Sequence, residues 1–215
     1  MFKDGYCKNC FYNNFYIGIF HPIKCTSHLN IEYKNLKHEK KIELQDHIIY
    51  LSLTGNIKVG ITIKKRYYKR LMDQGAIKSI ILAITPNRYL AGKIEKICKK
   101  KISDRTNYIN MLTNSFIIKN INLINIKYKI FYFILTFYYK YNIYLYKNNK
   151  ITNFIYPVIK YPKKNNIKII NFKNKYNKIL KEKLLGIKGQ YLIFTNNKVF
   201  NINNHLGYSI NITIF

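Results

Sequence analysis

Cysteine and histidine side chains near the start of the chain have the types and spacing of a metal site. Two pairs, each with two intervening residues, are formed by Cys7, Cys10, Cys25 and His28. This spacing is within the range of zinc ribbons and zinc knuckles, and in a reducing cytoplasm it favours zinc over a disulfide. We therefore predict structural zinc in a zinc-ribbon-like module over residues 1–45. The alternatives are His21 or His38 as the fourth ligand, or unliganded buried thiols.

A carboxylate that could serve catalysis or bind a metal is Glu95. Helical spacing places it on one stripe with Ala91, Cys98 and Ile102, among small and apolar side chains. A carboxylate in that position costs free energy unless it is paired or binds a metal. The alternative is an ordinary i,i+4 ion pair with Lys99 at the edge of the stripe.

The arginines carry more information about function than the lysines. A net charge of +29 is typical of nucleic-acid-binding proteins, but the abundance of Lys, Ile, Asn, Tyr and Phe is also typical of an A+T-rich genome. Arg66 and Arg70 lie four residues apart on one helix face. They predict either a solvated basic face or a phosphate clamp, because a guanidinium is a bidentate donor. Together with Arg88 and Thr62 they are the predicted nucleic-acid-binding residues.

The elements that position these side chains are predicted within residues 46–114, in the order strand, strand, helix, strand, helix. Their predicted bounds are Ile48–Leu53, Ile57–Ile63, Tyr67–Asp73, Ile77–Ile84 and Pro86 to about Ile102. The first two strands form a hairpin around Thr54–Asn56. Alternation in the second strand predicts one buried face, with Lys58, Gly60 and Thr62 on the other face.

The remaining sequence predicts a connector over 115–150 and a β-rich C-terminal domain over 151–215. The longest apolar run, Ile130–Tyr139, is far shorter than the roughly 20 residues that cross a bilayer, so we expect a core or packed amphipathic segment and no membrane partner. The first residues lack the pattern of a secretory signal, which makes the cytoplasm the expected location. The oligomeric state is left open by the sequence.

The central elements resemble the GIY-YIG nuclease domain. In that domain a strand carries a tyrosine, the next strand a Tyr-x-Gly motif, the first helix an arginine and the following helix a glutamate. The matching positions here are Tyr50, Lys58-Val59-Gly60, Arg70 and Glu95. The expected fold class is therefore α+β, with a GIY-YIG-like ββαβα central domain between the zinc module and the β-rich C-terminal domain.

Along essentially its whole length the chain is also similar to a bacterial family catalogued as domain of unknown function 2797. The similarity is carried by the strings KVGIT, DQGA, TPNRYLAGKIE, SDRTN and GIKGQYLIF. In the last string, Lys188 and Gln190 are candidates for contact with a ligand.

The resemblance to the nuclease implies that Glu95 binds Mg²⁺ or Mn²⁺, Arg70 stabilises charge on the phosphate and Tyr50 assists proton transfer to water. Because the chain has 21 tyrosines, the alternative for Tyr50 is core packing. The chain departs from the motif at Lys58, which replaces the usual candidate base. A lysine serves as a base only where burial or nearby positive charge lowers its pKa. We expect a nucleic-acid-binding protein, and the sequence leaves open whether it also cleaves phosphodiester bonds with a metal ion. The alternatives are a non-catalytic RNA or RNA-protein binding module, and a phosphate-ligand binder in the cleft between the central and C-terminal domains.

Overall fold

The computed structural model describes residues 7, 9–10, 41–103, 105–114, 121–141, 144–172 and 179–207, apart from the side chains of 133 and 136–141. The fold is mixed α+β with two sheets and several helices, which confirms the predicted class. Two of the predicted zinc ligands, Cys25 and His28, lie outside the described residues.

The first sheet is built around a β-hairpin and one further antiparallel strand. Strand β1 spans His47–Leu53 and β2 spans Ile57–Ile63. Helix α1 (Tyr67–Asp73) follows, then strand β3 (Lys78–Thr85) and helix α2 (Arg88–Cys98). Strand β1 lies in the centre, between β2 and β3. The element order and the bounds of α1 agree with the prediction. Helix α2 begins two residues later than predicted because the Asn87 side chain caps it by accepting from Leu90 N–H.

The segment expected to be a connector contributes to the core of this sheet. After α3 (Tyr108–Thr113) come α4 (Leu123–Tyr141), β4 (Tyr144–Leu145) and β5 (Ile151–Asn153). Both short strands pair with β3, so the first sheet continues past residue 150. Helix α4 buries Leu123, Ile130 and Ile134 in the same cluster as β1, as expected of a core segment. Among the described helices, none is long and apolar enough to cross a membrane.

Both faces of the β1–β2 hairpin are covered, so the prediction of a single buried face was wrong. On one face Tyr67 and Leu71 of α1 pack against Ile48 and Tyr50. On the other face α2 and α4 pack against the alternate residues of β1. The polar stretch of β2 is therefore also buried, including Lys58, Gly60 and Thr62.

The second sheet contains four strands in the order β6-β9-β8-β7. These strands span Lys168–Ile170 (β6), Leu184–Lys188 (β7), Tyr191–Phe194 (β8) and Lys198–Asn201 (β9). Strands β7, β8 and β9 form the predicted antiparallel meander, whereas β6 pairs with β9 in parallel. The buried face of this sheet packs against Met111 and Leu112 of α3.

The tight turn between β7 and β8 joins the second sheet to the end of α1. Gly189 in this turn has φ +57°, and a Cβ there would lie 2.9 Å from both Asp73 O and Gly75 N. Nearby, the Tyr156 hydroxyl donates to Ala76 O at 2.9 Å and to Met72 O at 3.3 Å. The two sheets therefore meet at the C-terminal end of α1, where little space separates the backbones.

Candidate functional site

A cleft of about 660 Å³ lies where the two sheets meet. From the side of the first sheet it is lined by Lys58, Arg70, Asp73 and Gln74. Around the start of α3 it is lined by Thr106, Tyr108 and Met111. From the side of the second sheet it is lined by Gly189, Gln190, Tyr191, Ile202 and Asn203. The cleft therefore combines cationic, aromatic and amide side chains.

Tyr50 lies behind the wall of the cleft and supports it. It is the register partner of Gly60, and a Cβ on Gly60 would lie 2.6 Å from the Tyr50 hydroxyl. The ring therefore crosses β2 where β2 has no side chain. From there the hydroxyl donates to Gln74 Oε1 at 3.2 Å. Tyr50 is only 1% exposed and so positions Gln74 rather than lining the cleft itself.

The charges of two other predicted catalytic residues, Arg70 and Glu95, act on the Tyr50 hydroxyl. Burial raises the pKa of Tyr50 to about 12. The positive charge and a hydrogen bond of Arg70 act to lower this pKa, whereas the negative charge of Glu95 acts to raise it. Strand β1, helix α1 and helix α2 thus contribute to one electrostatic environment. At neutral pH the Tyr50 hydroxyl is protonated, so it acts as a hydrogen-bond donor and not as a base.

Lys58, the fourth predicted catalytic residue, lines the cleft from strand β2 and is 5% exposed. Its ammonium donates to Thr106 Oγ1 at 2.9 Å. The backbone also ties this part of β2 to the loop after α2, because Val59 N–H donates to Ser103 O. Lys58 therefore joins the hairpin to the segment that leads into α3.

Glu95 makes the ion pair that we weighed as the alternative to a functional role. Lys99 Nζ lies 3.4 Å from Glu95 Oε2, and the Glu95 side chain is 14% exposed. Among the residues that the structure describes, no three His, Cys, Asp or Glu side chains form a group that could hold a metal ion. A Mg²⁺ or Mn²⁺ ion at Glu95 would need most of its ligands from water and substrate, as Mg²⁺ accepts in phosphate sites.

Of the four residues predicted to bind nucleic acid, Arg70 lines the cleft. Arg66 is exposed in the 3-10 turn Lys64–Arg66, and Thr62 is buried in β2. Arg88 begins α2 near His47. Burial lowers the pKa of His47 to about 4, and the charge of Arg88 adds to this effect. Of the four residues, Arg66, Arg88 and Thr62 therefore do not belong to the lining of the cleft.

Helix α3 contributes residues that the sequence analysis did not single out. Its N-cap, Asn107, accepts from Asn110 N–H at 3.1 Å and donates its own N–H to Asn56 Oδ1 of the β1–β2 turn at 3.3 Å. These contacts fix Tyr108, whose ring is stacked on Tyr191 with 10° between the planes. The sequence signal was the Asn107 cap in the SDRTN string, but it gives no direction for the next side chain.

Lys188, a candidate for contact with a ligand, has its hydrogen-bond partners inside the protein. It is fully buried, and its ammonium donates to Met111 O at 2.7 Å and to Asn114 Oδ1. The rings of Tyr156 and Tyr161 lie 5.5 and 5.2 Å from the same nitrogen. Lys188 thus holds β7 against the C-terminal end of α3, whereas Gln190, the other candidate, lines the cleft.

The described part of the predicted zinc site consists of Cys7 and Cys10, both exposed. Cys10 N–H donates to Cys7 Sγ at 3.3 Å, and backbone hydrogen bonding from Cys10 is the main cause that lowers the pKa of Cys7. A lowered thiol pKa favours the thiolate that zinc requires. The complete ligand set stays a prediction.

A family model with the description "Protein of unknown function (DUF2797)" matches residues 1–210. No curated protein and no solved structure matches the chain.

Proposed function

The chain belongs to the DUF2797 family, whose description assigns no activity, and we propose from the geometry of the cleft that it binds nucleic acid. In this proposal Arg70 holds a backbone phosphate at the wall of the first sheet. The observation that carries it is the position of the Arg70 guanidinium, which lines the cleft beside the buried Tyr50 hydroxyl.

The charge of the lining residues supports an anionic ligand. Lys58 and Arg70 are cationic, and Asp73 is the acidic residue among those that line the cleft. Asp73 is exposed, whereas Lys58 is held inside by Thr106. A guanidinium can hold a phosphate through two parallel hydrogen bonds, and the net charge of +29 favours encounter with polyanions.

The volume of the cleft limits what part of the ligand enters it. At about 660 Å³ it is in the range of pockets for small molecules, of roughly 300–1,000 Å³. A duplex is too wide to enter, so in this proposal the cleft receives one phosphate and its nucleoside while the rest of the strand runs over the basic surface.

Phosphodiester cleavage is a second candidate function, and the effect of the charges of Arg70 and Glu95 on the Tyr50 hydroxyl favours it. A metal ion held by Glu95 would supply Lewis-acid activation of the phosphate. In this case Arg70 would stabilise charge on the phosphate, and Tyr50 would hold Gln74 in the same wall through its hydrogen bond.

The test is the affinity of labelled single- and double-stranded DNA and RNA for the wild type and for Arg70→Ala, measured across a series of salt concentrations. We expect Arg70→Ala to lose roughly tenfold in affinity and to reduce the salt slope by about 1, because one phosphate contact is removed. Arg66→Ala is the matched control, since Arg66 lies one helical turn earlier and is exposed outside the cleft.

An equal loss in both variants would show binding by the general basic surface and would contradict the proposed role of the cleft. Tight saturable binding of a free mononucleotide, with weak binding of strands, would favour a phosphate-metabolite binder instead. Incubation of the same strands with Mg²⁺ or Mn²⁺ tests cleavage. Cleavage products that form with the wild type but with neither Glu95→Gln nor Arg70→Ala would identify a nuclease. If the wild type leaves the strands intact, the protein binds nucleic acid without cleaving it.

A further inference from the structure

The aromatic part of the cleft consists of Tyr108 and Tyr191. Their ring centroids are 6.4 Å apart, with 10° between the ring planes. Tyr191 is 8% exposed and is covered, whereas Tyr108 is 36% exposed. Tyr108 therefore offers aromatic surface to a planar group in the cleft, and the Tyr191 ring lies nearly parallel to it.

Tyr108 is held in position before any ligand binds. It is the first residue of α3, directly after the Asn107 cap, and that cap is tied to the β1–β2 turn through Asn56. At the other end of α3, Lys188 fixes the Met111 carbonyl. A platform fixed at both ends of its helix loses little conformational entropy on binding, which favours affinity.

The amide part of the cleft suits a different chemical group from the Arg70 wall. Gln190 and Asn203 both line the cleft and hydrogen-bond to each other, Asn203 Nδ2 donating to Gln190 Oε1. Amide side chains offer donors and acceptors together, whereas a phosphate needs donors only. The edge of a nucleobase carries both donors and acceptors, so the amides match a base better than a second phosphate.

We infer that the cleft receives a single unpaired base, stacked on Tyr108 with its edge toward Gln190 and Asn203, and that the ligand is single-stranded nucleic acid. This inference rests on the proposed function, in which Arg70 holds the adjoining phosphate. A base within a duplex has both faces covered and its pairing edge occupied, and extruding it costs a few kcal/mol. The same contacts therefore discriminate against duplexes.

The experiment compares two single-stranded hexanucleotides of equal charge with the full-length protein at one salt concentration. One carries bases and the other carries abasic units at every position. Base–aromatic stacking predicts that the strand with bases binds roughly 5- to 100-fold more tightly. Tyr108→Ala is expected to remove this difference and to leave the affinity for the abasic strand unchanged, while Tyr108→Phe is expected to keep it.

A second readout reports stacking directly. A 2-aminopurine base within the strand should lose fluorescence on binding to the wild type and to Tyr108→Phe, but not on binding to Tyr108→Ala. Circular dichroism and thermal melting show whether Tyr108→Ala is folded. If Tyr108→Ala does not fold, Gln190→Ala tests the inference instead, because it leaves Tyr108 in place. Gln190→Ala should retain the fluorescence change and weaken discrimination among bases.

The outcomes separate this inference from the proposed function. If the abasic strand binds as tightly as the strand with bases and Arg70→Ala weakens both, the base-binding inference is overturned while phosphate binding by the cleft stands. A duplex that competes as well as the single strand would overturn it too. If Arg70→Ala changes neither affinity, the proposed function fails, and the inference fails with it.

Discussion

The two sheets are stabilised in different ways. The first sheet is enclosed, with α1 on one face and α2 and α4 on the other, and even polar residues of β2 are buried. The second sheet packs one group of residues against α3 and leaves large apolar side chains such as Ile169 and Leu184 exposed. The first sheet therefore has two hydrophobic interfaces, whereas the second depends on a few specific contacts.

This difference explains how the cleft is divided. The enclosed sheet fixes groups whose burial is costly, such as Tyr50 and Lys58, because the packing around them is dense. The second sheet contributes neutral side chains such as Gln190 and Asn203 from turns. Contacts at the Gly189 turn and at Lys188 set the distance between the two walls of the cleft. Substitutions at these contacts therefore test how the two sheets depend on each other.

The largest effect is expected from Gly189→Ala. The new Cβ would meet backbone atoms of Asp73 and Gly75 at 2.9 Å, at a φ of +57° that L-residues rarely adopt. Because backbone cannot move as a side chain can, we expect a loss of about 3–4 kcal/mol in unfolding free energy. Denaturant titration measures it.

The control for this variant is Gln190→Ala in the same turn, which should change stability by less than about 0.5 kcal/mol. Amide hydrogen exchange would show whether the second sheet loses protection before the first. Simultaneous loss of protection in both sheets would contradict the comparison and show that they unfold as one unit.

Acid should destabilise the two sheets in different pH ranges. Burial lowers the pKa of His47 in β1 to about 4 from an ordinary 6.5, so its stabilising effect is complete above pH 6.5 and is lost as the pH falls toward 4. Integrated over this range the loss is about 3 kcal/mol. In the second sheet, hydrogen bonds from Lys198 and Thr195 lower the pKa of Glu182 to about 2. The stabilisation of the fold by the Glu182 carboxylate is therefore lost only as the pH falls below about 4.5.

Unfolding measured from pH 7 to 3 tests this order. His47→Asn retains a donor for the Gln45 carbonyl, which the His47 ring contacts at 2.7 Å, but has no titrating group. Its stability should be nearly constant between pH 6.5 and 4.5, where the wild type becomes less stable. A parallel decline in both proteins would mean that His47 is not responsible.

The sequence predicted the enclosed sheet well because its elements follow simple periodicities. Alternation in Ile57–Ile63 and the stop at Gln74-Gly75 predicted the observed bounds of β2 and α1. Alternation cannot show that a polar face is also covered, because the cover on that face, α1, is brought there only by the tertiary fold. The prediction of one buried face failed for that reason.

The cleft was predicted in part. The motif positions identified Arg70 and Lys58, which line it, because their spacing within the hairpin and helix is local. Tyr108 and Asn203 were missed, since each lies in a segment of ordinary Asn- and Tyr-rich composition and enters the cleft through contacts distant in sequence. The burial of Lys188 could not be predicted either, as its partners are a carbonyl on α3 and two distant tyrosine rings.

A smaller effect, confined to the first sheet, is expected from Gly60→Ala. The new Cβ would lie 2.6 Å from the hydroxyl oxygen of Tyr50, which is a side-chain atom and can shift. We expect a loss of about 2 kcal/mol, together with loss of the hydrogen bond to Gln74 and weaker binding in the cleft. A double-mutant cycle with Tyr50→Leu measures the coupling, and additive effects of the two changes would show that the ring is not what Gly60 accommodates.

The smallest effect is expected from the buried lysines in alkaline solution. Burial lowers the pKa of Lys188 and of Lys127, which donates to Asn148 O from α4, to about 8 in both cases. Because the charged form is disfavoured in the folded state, stability should rise as the pH increases from 8 toward 10.5. Nearby rings and carbonyls favour the ammonium and oppose this effect, so we expect a gain of only about 1 kcal/mol for each lysine. Unfolding measured between pH 7.5 and 9, where ordinary tyrosines are still largely protonated, should show most of the gain in the wild type and half as much in either Lys188→Met or Lys127→Met. If only Lys127→Met reduced the gain, the carbonyl and ring partners of Lys188 would stabilise its ammonium as well as water does. The junction between the sheets would then hold a full positive charge at every pH tested.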